Sequence, residues 1–410
     1  MSRAQEQESL EELAALADTA GAEIVESILQ DRHGVDSATF IGAGKVHQIA
    51  KKVMDLDVQV VIFDADLSPV QMKNLENGVK RKVVDRSGLI LDIFARRART
   101  REAQIQVELA QLKYLFPRLT RRWTHLSRQE AGIGTRGPGE TQLEVDRRNI
   151  RKRIKHLEED LRKIELQREV RRKKRQRFMR VALVGYTNVG KSSLLNAMAD
   201  AEVFVEDRLF ATLDATIRTL SLQDHQKILL IDTVGFIRKL PPHLVASFRS
   251  TLEETIEADL LLHVVDVNHP HFEEQIGTVQ EVLRDLGIDK KPMITVFNKV
   301  DLLKDPNSFS DLQQHFHRAV FTSALKGIGL EALRQEIVRL LESGEQEGEV
   351  RVPLDQTRTV SIIYEMGKVL EKRYEDGMVV IRFRAAAENV KRIQTLVGKI
   401  RDDANTYRGQ

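Results

Sequence analysis

The chain of 410 residues has no cysteine. This excludes a disulfide framework and any thiolate-bound metal, and it predicts a reducing compartment. No run of about eighteen apolar residues occurs, and no early apolar segment has the form of a secretory leader, so a membrane span and export are both excluded as expectations. The expected setting is the cytoplasm, with at most a peripheral membrane-associated fraction, and the expected state is a monomer. Aromatic residues make up 5% of the chain, and tryptophan occurs once, at Trp123.

Charge is abundant but unevenly placed. The net charge is +3, yet residues 96–177 hold 25 Lys or Arg against 11 Asp or Glu, so the rest of the chain is net acidic. A basic block on an acidic protein points to a polyanionic partner, because phosphate contacts dominate nucleic-acid affinity; a solvated, charge-laced helix is the alternative for charge density alone.

The hydrophobic period divides the chain into four units. Residues 1–100 alternate helix-like and strand-like segments, which predicts a small parallel α/β domain: "AEIVESIL", "VQVVIFD" and "KVVD" read as strands and "SPVQMKNLENGV" as a helix capped by Ser68. Residues 101–178 change to helical spacing. Ile105, Leu109, Leu112, Phe116 and Leu119, then Ile150, Ile154, Leu157, Leu161 and Ile164, predict an antiparallel helical hairpin with a coiled-coil seam. Its tip is "GIGTRGPGET", and Trp123 late in the first helix either packs in the seam or stacks on a base. Residues 179–343 alternate apolar strands and helices, predicting a doubly wound, mostly parallel sheet. After a linker "ESGEQEGEV", residues 350–410 predict a small α+β domain with a turn at Asp376 and Gly377.

The third unit carries the chemistry. "GYTNVGKS" (Gly185, Tyr186, Thr187, Asn188, Val189, Gly190, Lys191, Ser192) follows an apolar strand and opens a helix, the context a phosphate-binding loop requires. Its backbone N–H groups and helix N-terminus receive phosphates, Lys191 supplies a point charge, and Ser192 offers a hydroxyl to Mg²⁺. "DTVG" (Asp232, Thr233, Val234, Gly235) ends the next strong strand, with Asp232 as a direct or indirect Mg²⁺ carboxylate and the Gly235 backbone near a γ-phosphate. Between them lies "FATLD" (Phe210, Ala211, Thr212, Leu213, Asp214), the candidate first switch. Thr212 is the expected Mg²⁺ and γ-phosphate residue, with Thr216 competing. Lys191, Thr212 and Gly235 are the expected catalytic set.

Base identity is read from "NKVD" (Asn298, Lys299, Val300, Asp301): a carboxylate at Asp301 accepts from guanine N1–H and its exocyclic amine, a donor pair adenine does not present. "SAL" (Ser323, Ala324, Leu325) supplies a backbone N–H for guanine O6. GTP or GDP is therefore the expected nucleotide. Phe236 stands where Ras-like enzymes place a water-orienting glutamine, so hydrolysis is expected to be slow without a partner. Asn188 resembles the asparagine of GTPases that use K⁺. The grouping of His263, His269 and His271 suggests a metal, but structural or loop histidines are the expected account.

"GIGTRGPGETQLEVDRR", "LILDIFARRARTREAQIQVELAQL", "GYTNVGKSSL", "LFATLDATIR" and "DTVGFIRKLP" together resemble the HflX family of ribosome-associated GTPases, from about Phe40 to Leu341. Ala215 departs from the family's common proline. The resemblance implies binding to the large ribosomal subunit and its rRNA, and separation of stalled or idle ribosomes. It implies rRNA contact at the tip through Gly134, Arg136, Gly137 and Gly139, with salt-dependent attraction from Arg147, Arg148, Arg151 and Lys152. A ribosome-assembly GTPase, or an RNA-binding switch with incidental hydrolysis, remains the alternative.

Overall fold

The computed structural model describes residues 3–30, 34–119, 142–175, 178–199, 209–222, 227–239, 249–303, 312–316, 319–343, 345–375, 377–386 and 389–398. The N-terminal unit comprises helix α1 (Arg3–Thr19), α2 (Ala43–Asp55), strand β1 (Val60–Phe63), α3 (Pro69–Val79), β2 (Lys82–Asp85) and α4 (Arg86–Arg97). Ser68 and Gln71 close a reciprocal capping box at the start of α3, with Pro69 at the first helical position. β1 and β2 pair in parallel. The strand expected at "AEIVESIL" does not form: residues 22–30 hold no strand, and Ile24 and Val25 are exposed. Two apolar side chains without a covering layer give the alternation nothing to bury.

The expected hairpin is present in its described part. Helix α5 (Arg101–Leu119) and helix α6 (Gln142–Arg175) pack antiparallel through Ile105, Leu109, Leu112, Ile154, Leu157, Leu161 and Ile164. Arg153 pairs with Glu108 and Lys113 with Glu158 along the flanks. Phe116, expected in the seam, instead lies under the guanidinium groups of Arg147 and Arg151, 5.5 and 5.3 Å from its ring centre. The α5 helix is fixed to the N-terminal unit at buried Asp85, which accepts from the Tyr114 hydroxyl at 2.6 Å and from Arg118 at 2.9 Å. The glycine tip and Trp123 lie outside the described residues.

The third unit runs β3 (Met179–Gly185), α7 (Lys191–Ala199), β4 (Thr216–Ser221), β5 (Lys227–Asp232), α8 (Arg249–Ile256), β6 (Leu260–Asp266), α9 (Phe272–Asp285), β7 (Met293–Asn298), β8 (Val320–Phe321) and α10 (Leu330–Ser343). The strand order is β4-β5-β3-β6-β7-β8, parallel except for β4. This is a P-loop GTPase fold. Buried side chains of α1, α4 and α5, including Leu16, Ile90, Phe94 and Val107, share one apolar core with Leu183, Leu194, Phe210 and Leu213 of the third unit.

The C-terminal unit contains β9 (Glu345–Pro353), α11 (Thr357–Met366), β10 (Lys368–Glu375), β11 (Met378–Ala386) and helical residues 389–398, with an antiparallel sheet in the order β10-β11-β9. The stretch expected to be a linker is therefore largely strand β9. Its polar composition conceals cross-strand pairing: Glu347 binds Arg382 and Arg384, and Gly348 leaves room for the Phe383 ring, which a Cβ there would meet at 2.8 Å.

Candidate active site

The phosphate loop joins β3 to α7 at the carboxyl end of the parallel strands, where doubly wound sheets bind ligands. Its shape depends on close backbone approach. Gly190 has φ +92°, and a Cβ there would lie 2.3 Å from Asn298 Nδ2. That amide donates to Val189 O at 3.0 Å, while Lys299 Nζ donates to Asn188 O at 2.9 Å and pairs with Asp266 at 2.6 Å. Two residues of "NKVD" thus brace the phosphate loop from β7. Asn188 holds φ +62° and is exposed.

Lys191 is buried, and its Nζ donates to Tyr186 O at 2.6 Å and Gly185 O at 3.3 Å. Burial lowers its pKa to about 8, against the opposing influence of Asp232. The Ser192 hydroxyl donates to Asp232 Oδ2 at 2.6 Å and lies 2.9 Å from Thr212 Oγ1. Burial raises the Asp232 pKa, with Lys191, Ser192 and Thr212 pulling it back down. Its second oxygen, Oδ1, is buried without a partner. Two hydroxyls converging on a buried, half-satisfied carboxylate form an all-oxygen donor set, which fits a hard divalent cation such as Mg²⁺. Of the two competing threonines, Thr212 is the one in hydrogen-bond contact with Ser192, while Thr216 begins β4 directly opposite Asp232.

Thr233 is fully buried and donates to Leu183 O at 2.6 Å, and Val234 is buried beside it. Gly235 is pressed against the loop: a Cβ there would lie 2.7 Å from Thr187 Cα and 3.0 Å from Lys191 Nζ. Phe236 is buried and bridges the loop by backbone, with Thr187 N donating to Phe236 O at 2.8 Å and Phe236 N to Gly185 O at 3.0 Å. The ring lies in the core with Val184 and Leu261 and offers no polar group.

At the base end, Asp301 sits on the short turn Val300–Leu302, and Val300 N donates to Thr322 O at 3.2 Å. Ser323 is buried and accepts from Lys326 N, whereas Leu325 is 82% exposed. Within the Ser323–Leu325 loop, expected to offer a backbone N–H to guanine, the Ala324 N–H donates to Asn298 Oδ1 at 3.0 Å.

Within the first switch, Ala211 is half-buried and Phe210 packs edge-on against Phe94, with ring centres 4.7 Å apart. Leu213 is buried in the shared core. The carboxylate of Asp214, expected to serve the nucleotide, is directed elsewhere: it accepts from Arg99 N and Thr100 N, each at 3.1 Å, and from the Thr100 hydroxyl.

A polar seam with no motif in the sequence ties Arg238 and Lys239, which follow "DTVG" in the candidate second switch, to α1 and the turn after β1. Arg86, 1% exposed, pairs with Glu12 and with Asp64 at 2.7 Å, and donates to Arg238 O at 2.8 Å. Lys239 pairs with Asp64 at 2.6 Å, and Arg238 pairs with Glu8 at 2.7 Å and with Glu274. The Tyr186 hydroxyl donates to Glu12 and accepts from Arg238 N at 2.7 Å. Burial raises the Glu12 pKa above the carboxylate norm despite Arg86. The only local signal for this seam is an arginine beside Asp85 at the head of an apolar helix.

Among the described residues, Glu8, His271 and Glu274 are the one cluster of three histidine or carboxylate side chains close enough to share a metal ion, and the Arg238 guanidinium already pairs with both carboxylates. His263 lies apart, buried in β6, where burial lowers its pKa to about 4 and keeps the ring neutral. The expected RNA residues Arg148, Arg151 and Lys152 are exposed on α6, and Arg147 is half-buried; Gly134, Arg136, Gly137 and Gly139 lie outside the described residues.

Four family models match in succession: GTP-binding GTPase N-terminal over residues 7–95, GTP-binding GTPase middle region over 97–175, 50S ribosome-binding GTPase over 180–299, and HflX C-terminal domain over 311–406. The chain is 45% identical to GTPase HflX of Caldanaerobacter subterraneus subsp. tengcongensis, covering 97% of this chain and 92% of the relative. It is 43% identical to GTPase HflX of Escherichia coli strain K12, covering 94% and 92%. A GTP-binding protein from the archaeon Sulfolobus solfataricus, solved with GDP, is 28% identical with a TM-score of 0.43, covering 81% of this chain and 95% of that one. No described helix is long and apolar enough to cross a membrane. A phosphate loop braced by its own base-recognition motif, and identity sustained over nearly the whole length, place the chain in the HflX family of GTPases.

Proposed function

We propose that this GTPase binds the large ribosomal subunit through its basic arm and uses its nucleotide cycle to separate stalled or idle ribosomes. The observation that carries the reading is the arm itself: exposed Arg148, Arg151 and Lys152 line α6 on the side leading to the glycine tip, and α5 is rooted beside the first switch. The Arg136 tip, with Gly134, Gly137 and Gly139, fits against rRNA, where glycine permits close backbone approach. The 50S ribosome-binding description of the matched GTPase model supports the same partner. The protein acts as a cytoplasmic monomer.

In the active site Lys191 neutralises the β and γ oxygens, and the Gly235 N–H receives the γ-phosphate. Ser192 and Thr212 would hold Mg²⁺ by their hydroxyls, with Asp232 orienting Ser192; the ion would supply neutralisation of phosphate charge. Asp301 accepts from guanine, and the Ser323–Leu325 loop turns a backbone N–H to O6. Asn188, exposed at the rim of the phosphate loop, is the residue that would hold K⁺. The buried Phe236 ring does not orient water, so turnover alone is slow and a ribosomal group or rearrangement supplies that function.

Co-sedimentation with purified large subunits across a salt series tests the binding step. Replacing Arg148 or Lys152 with Ala should weaken binding and reduce the slope of log affinity against log salt by about one unit or less per residue. Unchanged affinity and slope in the combined variant would remove the arm from the interface.

A further inference from the structure

Thr212 sits in a loop pinned on both sides to the junction between α4 and α5. On one side Phe210 packs on Phe94, near the end of α4. On the other, the Asp214 carboxylate accepts from the backbone N–H groups of Arg99 and Thr100 and from the Thr100 hydroxyl. Thr100 is itself the cap of α5, since its hydroxyl oxygen accepts from Ala103 N at 3.1 Å and its carbonyl from Gln104 N at 3.0 Å. A carboxylate at a helix N-terminus is favoured by unpaired N–H groups and by the helix dipole, and its bonds to them are charge-assisted. Thr212 Oγ1, two residues away, is 2.9 Å from Ser192 Oγ.

We infer that Asp214 is a positioning residue that couples the arm to the Mg²⁺ and γ-phosphate end of the site, with the first turn of α5 setting where Thr212 stands. The carboxylate needs both N–H groups and the hydroxyl in one place, and only a correctly seated α5 presents them together. A shift of the first turn of α5 would draw Asp214 away and carry Thr212 with it. Because linkage is reciprocal, a partner that holds the arm seated favours the GTP-bound form, and GTP favours the seated arm. This second consequence rests on the arm being the ribosome-contacting element; the first does not.

The test measures affinity for a slowly hydrolysed GTP analogue and for GDP with the full chain, without ribosomes, in Thr100→Ala, Asp214→Ala and the double variant. Thr100 lies outside the GTPase unit, so a connector role predicts no change in nucleotide preference. The coupling account predicts that each single variant lowers the ratio of GTP-analogue to GDP affinity by about fivefold or more, the lower range of measured couplings. The double variant should lower it no further than the larger single effect, and Thr100→Ser should restore it. Thermal unfolding of each variant separates loss of fold from loss of preference. A Thr100→Ala ratio equal to wild type, or effects that multiply in the double variant, would overturn the inference. Subunit co-sedimentation of the same variants reports separately on the ribosomal reading, which stands or falls without affecting this result.

Discussion

The phosphate end of the site and the anchors of its two switches are built over different stretches of sequence. Lys191 bonds to a carbonyl five residues away and Ser192 to a carboxylate forty residues away, both within the strand-and-loop core of one sheet. The switch anchors reach much further: Asp214 to Thr100 across 114 residues, Arg86 to Arg238 across 152, Tyr186 to Glu12 across 174 and Arg238 to Glu8 across 230. The unit matched as a GTPase therefore fixes Lys191 and Ser192 within its own fold, while the loops that carry Asp214 and Arg238 are held by another part of the chain. The anchors also differ from each other. The second switch is held by partly buried ion pairs around a fully buried arginine, the first by one carboxylate on exposed backbone and one aromatic contact.

The largest effect is expected where a buried charge holds a long-range anchor. Arg86→Leu leaves Glu12 and Asp64 without their guanidinium and should cost about 3–5 kcal/mol of unfolding free energy. Burial already raises the Glu12 pKa, so the variant's loss should be greater at pH 8 than in acid, shrinking as pH falls through that raised pKa and the carboxyl takes up its proton. Denaturant titration at pH 8 and in acid checks this, and equal losses would show that Glu12 is solvated after all.

The sheet interior should show a different pH signature. His263 falls from 6.5 in the unfolded chain to about 4 in the fold, so the folded state favours the neutral ring. Its contribution is fully present above pH 6.5 and is lost as pH falls through 4, on the order of 3 kcal/mol in all. His263→Gln should flatten that part of the stability profile, and an unchanged acid limb would contradict the assignment.

The smallest effect is expected at Asp301, the residue proposed to read guanine. Asp301→Asn should weaken GTP binding by about 1–3 kcal/mol and improve binding of xanthosine triphosphate. Titration with both nucleotides measures it, and unchanged GTP affinity would move guanine recognition elsewhere.

Motifs contiguous in sequence made the phosphate end legible. Gly190, Lys191, Ser192, Asp232 and Asn298 lie where their spacing and flanking strands predict, because a phosphate loop needs a strand before it and a helix after it. The hairpin was legible from its period, since a seam records itself in every third and fourth residue. Composition misled at β9, where glutamates paired with arginines across the sheet resemble a linker, and at residues 22–30, where alternation had no layer to cover. Arg86 and Asp214 were beyond reach for another reason. Each has partners so distant in the chain that no local pattern marks them, and Asp214 was grouped with the nucleotide because it adjoins Thr212.

GTP turnover of the full chain, measured at low ionic strength with and without purified large ribosomal subunits, tests the central claim most directly. With Phe236 buried and its ring unable to orient water, the account predicts slow turnover alone and stimulation by large subunits, toward the factors of about 10³ to 10⁵ that partner groups supply in related enzymes. Turnover that is already fast alone, or that does not rise when large subunits saturate the protein, would contradict it.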